Sequence, residues 1–161
     1  MKLFIKRNVS TDNNIFTIFD DKGIEKYYVI NKNFKTTKAH ISLKIIDSNK
    51  NTVAKINKIP LVTTNSYTIK ANNNRITLVC VMHTKGINCH YYGNNWHING
   101  SPALRDFKII DVGNSLIASQ RKNNADCELN ITKCENELFS IATSVCINLI
   151  NTVDNLATQT V

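Results

Sequence analysis

From Leu138 to Val153 the chain carries no charged side chain, within a longer run, Glu135–Val153, that reads ENELFSIATSVCINLINTV. Leu138, Ile141, Ala142, Val145, Leu149 and Val153 recur at helical spacing, and Phe139, Cys146, Ile147 and Ile150 carry the apolar surface around most of the circumference. Such a helix needs burial on nearly every side, so the rest of the chain must surround it. Leu138, Ile141, Ala142, Val145 and Leu149 are the expected core of that helix. Its polar residues, Ser140, Thr143, Ser144, Asn148 and Asn151, are neutral and small enough to bond back to helix carbonyls or to neighbouring backbone. A membrane span needs roughly 20 predominantly apolar residues, and this run is shorter and interrupted by two Asn. Thr132 followed by Glu135 reads as a capping box at the helix start.

Upstream, almost everything reads as short strands between turn signals. Apolar and polar residues alternate in Lys2–Lys6 and His40–Ile46, and β-rich runs cover Asn14–Phe19, Glu25–Ile30, Thr52–Ile56, Tyr67–Lys70 and Arg75–Val81. Asn88–Tyr92 and Trp96–Asn99 flank the loop Gly93-Asn94-Asn95, and Phe107–Ile110, Ser115–Gln120 and Cys127–Ile131 complete the set. The expected architecture is mainly β. About twelve strands close into an antiparallel barrel that takes the C-terminal helix along its axis, so the helix replaces a plug of inward side chains. Closure also removes sheet edges. One domain over residues 1–153 is expected, with the helix over about 133–153 and a tail at 154–161.

Lys plus Arg outnumber Asp plus Glu by 20 to 12, giving a formal charge of +8. That balance favours acidic partners, either lipid head groups or nucleic acid. The N-terminal MKLFIKRNVSTD is too polar for a signal peptide, so a cytoplasmic protein is expected, with its five cysteines as reduced thiols. No transmembrane span and no cofactor are expected.

Among candidate sites, Lys32, Lys35 and Lys38 surround Phe34, with Lys26 before and Lys44 after. Ammonium groups around an exposed aromatic suit an anionic membrane surface; the plainer reading is a solvated loop with Phe34 folded onto the barrel. Lys50, Lys55 and Lys58 join that patch if their strand lies alongside. His83, His90 and His97 with Cys80 and Cys89 are the one cluster that suggests metal. Only Cys80-x-x-His83 has zinc-like spacing, so no metal is assigned. Cys89-His90 points to opposite faces of a strand and offers no nucleophile and base pair, and no phosphate-binding loop occurs among the five glycines. Tyr27, Tyr28, Tyr91, Tyr92 and Trp96 interleaved with cations raise single-stranded nucleic acid as a partner, although barrel packing explains the rings more simply.

The opening KLFIKRNVS and FTIFDDKGIEKYYVI, the middle IIDSNKNTVAKI, and the later WHINGS, DFKIIDVGNSLIAS, CELNI and ENELFSIATSVCINLI together resemble the LURP-one-related family, in its small bacterial members. The resemblance implies the tubby C-terminal-like fold, shared with tubby proteins and phospholipid scramblases, and no catalytic residues. Tubby domains bind phosphoinositides through basic side chains on the barrel exterior. Scramblases carry an acidic calcium-binding segment, from which Asp20-Asp21-Lys22-Gly23 departs, so scramblase activity is not implied. The resulting expectation is a non-enzymatic module for anionic phospholipid or phosphoinositide head groups, peripheral to the membrane. The alternatives are a protein-interaction scaffold and, less favoured, a single-stranded nucleic-acid binder.

Overall fold

The computed structural model describes residues 1–9, 13–31, 41–59 and 64–158, with side chains through Asn151. Twelve strands precede one long helix. They are β1 (Lys2–Arg7), β2 (Asn14–Asp20), β3 (Glu25–Asn31), β4 (Ser42–Asp47), β5 (Thr52–Ile59) and β6 (Asn65–Ala71), then β7 (Asn74–His83), β8 (Gly86–Tyr92), β9 (His97–Ser101), β10 (Asp106–Ile110), β11 (Leu116–Asn123) and β12 (Asp126–Ile131). Each strand pairs antiparallel with its sequence neighbours, and β1 pairs with β12 to close the barrel. All twelve expected strands are present.

Local chemistry sets the corners. Asp20, Asp47 and Asp111 each end or follow a strand, and each turns its carboxylate back to accept backbone N–H groups across the turn: Lys22 and Ile24 for Asp20, Asn49 and Asn51 for Asp47, Ser115 for Asp111, at 2.8–2.9 Å. Register irregularities at Ile18/Phe19, Ile45/Ile46 and Ile109/Ile110 bend their strands, as closure of the sheet requires. Alternation along each strand then points one set of side chains inward, among them Leu3, Ile5, Ile18, Leu43, Ile45, Ile56, Ile69, Leu78, Ile109 and Leu129, all buried.

The helix, α1 (Glu137–Thr158), fills that interior: every residue from Phe139 to Asn148 is buried. Ile141, Ala142 and Val145 have no exposed surface, while Leu138 and Leu149 are half-buried against the core. The helix runs five residues beyond the apolar stretch that ends at Val153. Among the described residues no helix is long and apolar enough to cross a membrane.

Two expectations are corrected here. Thr132 does not cap the helix. Its hydroxyl donates to the carbonyls of Leu116 and Ile117 on β11, at 2.8 and 2.9 Å, and a 3₁₀ turn at Cys134–Asn136 leads into α1 instead. Nor are all five cysteines thiols. Cys80 on β7 and Cys89 on β8 face each other across the ladder with Cα atoms 4.1 Å apart and form a disulfide inside the barrel. Cys127, Cys134 and Cys146 are free, and only Cys134 is exposed.

The buried polar groups of α1 are held by a defined set of partners. The Thr143 hydroxyl donates to Phe139 O at 2.8 Å, so the Tyr91 hydroxyl, 2.8 Å away, donates to Thr143. Gln120 of β11 is the hub of a second group. Its Oε1 accepts from Ser144 Oγ and from Asn148 Nδ2 (3.4 Å), and its Nε2 donates to the Arg105 carbonyl at 3.1 Å. Asn148 in turn accepts from the Cys127 thiol at 3.3 Å. These bonds fix the axial position and rotation of the helix within the barrel.

Candidate anion-binding face

On the outer surface the register aligns cations that lie far apart in the sequence. Lys44 on β4 is directly opposite Lys55 on β5, Lys55 is opposite Lys70 on β6, and Lys70 is opposite Arg75 on β7. Their strand neighbours Leu43, Ile45, Ala54, Ile56, Ile69, Ala71 and Ile76 are buried, which places all four cations on the outside. Three inter-strand steps of about 4.8 Å make this rung about 14 Å long.

Like charges directly opposite each other on a sheet destabilise it by roughly 0.2–1 kcal/mol per pair, so such a rung is a cost unless something negative meets it. Nothing among the described residues does so for three of its members. Among the described residues, the ion pairs are Lys2–Glu128 at 3.1 Å and Lys26–Glu137 at 2.5 Å, and no carboxylate pairs with Lys55, Lys70 or Arg75. The sequence explains why: between Asp47 and Asp106 there is no Asp or Glu, so β5 to β9 carry no carboxylate at all.

Beside the rung lies a groove of about 400 Å³, lined by Val53, Lys55, Lys70 and Arg75 and by the turn Asn72-Asn73-Asn74. Val53 gives it an apolar, half-buried floor. Asn72 and Asn73 both have positive φ, 49° and 59°, as the two-residue turn joining β6 to β7 requires; Asn tolerates that conformation better than most residues. At the far end, Gly93 has φ +95°, and a Cβ there would stand 3.0 Å from the Arg75 carbonyl, so only glycine lets this loop pack so close to the end of the rung.

The sequence-expected patch divides. Lys32, Phe34, Lys35 and Lys38 lie outside the described residues. Lys26 is committed to Glu137 at the start of α1. Lys44 and Lys55 belong to the rung, whereas Lys58 is half-buried and paired with Tyr67, on the strand positions that face inward. Nothing in the local sequence pattern marks Lys70 and Arg75 as a patch; the acid-free stretch around them is the available signal.

The other candidates also separate. Tyr91 is buried and bonded to Thr143; Tyr92 is 63% exposed; Trp96 is half-buried, edge-on to Tyr91 and Phe139 at 5.9 and 6.3 Å. Thus the rings do not form one stacking platform. Cys80 and Cys89 are consumed in the disulfide, and no group of three or more His, Cys, Asp or Glu is placed to hold a metal among the described residues. Burial pushes the Cys146 and Cys127 thiols up, away from the thiolate a nucleophile needs. Burial and the adjacent Glu137 carboxylate likewise raise Tyr27. Glu128 moves the other way, lowered by bonds from Asn130 and Lys2.

The fold has counterparts among known proteins. The crystal structure of a protein from Arabidopsis thaliana superposes with a TM-score of 0.59 over 92% of this chain and 91% of that one, at 12% sequence identity, which establishes a common fold. No curated protein sequence matches. The profile of the family described as LURP-one-related matches residues 1–148, which hold all twelve strands of the barrel and most of the buried part of its helix. On that coverage, this chain is a member of the LURP-one-related family.

Proposed function

We propose that the barrel is a non-enzymatic binding module that engages an anionic phospholipid surface, peripherally and from the cytoplasmic side, through the outer face of β4 to β7. The observation that carries this reading is the rung Lys44–Lys55–Lys70–Arg75, three of whose four members stand on strands that hold no carboxylate. A cationic row about 14 Å long presents several charges to a head-group layer at once, and each Lys or Arg near such a surface contributes about 1 kcal/mol. Lys32, Lys35 and Lys38 with Phe34 supply further charge and an aromatic anchor in this proposal. The family's barrel is not a known enzyme class, and the interior, packed with helix, leaves the outer surface as the place where a partner binds.

Co-sedimentation of the purified chain with neutral and with anionic vesicles, at low and moderate salt, tests the reading. The expected result is binding to anionic vesicles only, weakened by salt and by Lys55→Ala/Lys70→Ala/Arg75→Ala. A parallel Lys32→Ala/Lys35→Ala/Lys38→Ala variant measures the share of the other lysines. Equal or no sedimentation with both vesicle types overturns the lipid reading and leaves a protein-binding scaffold as the function to pursue.

A further inference from the structure

His90 and His97 are directly opposite each other on β8 and β9, and theirs is the single registered pair joining these two strands. Both lie outside: the flanking Cys89 and Tyr91 point into the barrel and are buried, His90 is exposed and His97 half-buried. Residues directly opposite on antiparallel strands hold their Cβ atoms about 4.5–5.5 Å apart. Two imidazoles at that spacing can rotate to bring one nitrogen each within about 2.0–2.1 Å of a shared metal ion.

We infer that His90 and His97 form a two-imidazole clasp for a borderline transition-metal dication, with water in the remaining coordination positions. The surroundings select the class of ion. Hard cations such as calcium and magnesium need carboxylate or carbonyl oxygen, and β8 and β9 have no Asp or Glu to offer. Imidazole suits copper, nickel and zinc, with copper(II) bound most tightly. Next to the pair in register are Val79 on β7 and Ile110 on β10, neither of them charged, so no ammonium group shares the rung. The clasp has a structural consequence. Strand β8 is already tied to β7 by the Cys80–Cys89 disulfide on the inner face, and the metal ties it to β9 on the outer face, across the shortest ladder in the barrel.

The test is titration of the untagged full chain with copper(II), nickel(II) and zinc(II) at pH 7.5, followed by calorimetry and, for copper, by the nitrogen hyperfine pattern of its paramagnetic resonance. The expected result is saturable one-to-one binding with two equivalent nitrogen ligands. Affinity should drop at least tenfold in His90→Asn and in His97→Asn separately, and stay unchanged in His83→Asn. Bound metal should also raise the melting midpoint of the wild-type chain and not that of either clasp variant. Circular dichroism confirms that the variants remain folded. No binding, binding unaltered by either clasp substitution, or an equal loss in His83→Asn overturns the inference.

Discussion

Gln120, Thr143, Ser144 and Asn148 are all buried, and each has found partners within the fold, so that the helix is fixed to β8, β11, β12 and the Arg105 carbonyl. Lys55, Lys70 and Arg75 stand in a row on the outer surface and have no carboxylate partner among the described residues. Inside, an unpaired polar group costs about 1–3 kcal/mol, and among the described residues only the Ser140 hydroxyl is left without a partner. Outside, water screens each charge and an unpaired cation is tolerated. The difference teaches where to look for function: polar residues of the interior are explained by the fold, and the cationic row is not.

The most severe test of this comparison is Val145→Asp. Val145 has no exposed surface, and a charge there has no partner, so a loss of more than about 4 kcal/mol and failure to fold are expected. A soluble variant with an unaltered cooperative melt would mean that the helix is not what the barrel is built around. Gln120→Leu comes next. It removes the acceptor of the Ser144 hydroxyl and the donor to the Arg105 carbonyl, while Asn148 keeps its bonds to Ser144 and Cys127, and should cost about 2 kcal/mol, or roughly 4–8 °C in melting midpoint. Tyr91→Phe removes a single hydroxyl whose partner Thr143 keeps its bond to Phe139 O, so about 1 kcal/mol is expected. The smallest effect has the opposite sign. Lys70→Glu places a carboxylate between Lys55 and Arg75 and should stabilise the fold by about 0.5 kcal/mol at low ionic strength, less at high salt, in urea unfolding. The same variant should bind anionic vesicles more weakly. Destabilisation by Lys70→Glu would show that the row is satisfied within the fold and erase the contrast.

The architecture was legible because its signals are local. Leu3 and Ile5 against Lys2 and Lys6, or Leu43 and Ile45 against Lys44, announce half-buried strands, and the uncharged run in α1 announces a surrounded helix. The candidate face was not legible, because it is a product of register. Lys44, Lys55, Lys70 and Arg75 meet only after turn lengths and the irregularity at Ile45/Ile46 have set how four strands align. A reading along the chain therefore favoured Lys32, Lys35 and Lys38, which are close in sequence. The Cys80–Cys89 bond and the His90–His97 pair were hidden for the same reason: both are cross-strand neighbours. Thr132 misled in the other direction, since its cap-like spacing to Glu135 is real and β11 carbonyls outcompete the helix for its hydroxyl.

Closure of the barrel between β1 and β12 sets a timetable for folding. Eleven of the twelve ladders join strands consecutive in sequence, but the first strand cannot complete its own until residues as distant as Leu129 and Asn130 are available, so closing this one seam is the step with the largest loop-closure cost. Throughout that interval β1 is an open edge, able to template the wrong pairing with another chain. Its sequence, KLFIKR, keeps three cations on a six-residue strand, and charge of that kind is how edges deter aggregation. In the finished barrel Lys2 settles against Glu128 of β12, so the guard on the waiting strand becomes a fastener on the closed seam.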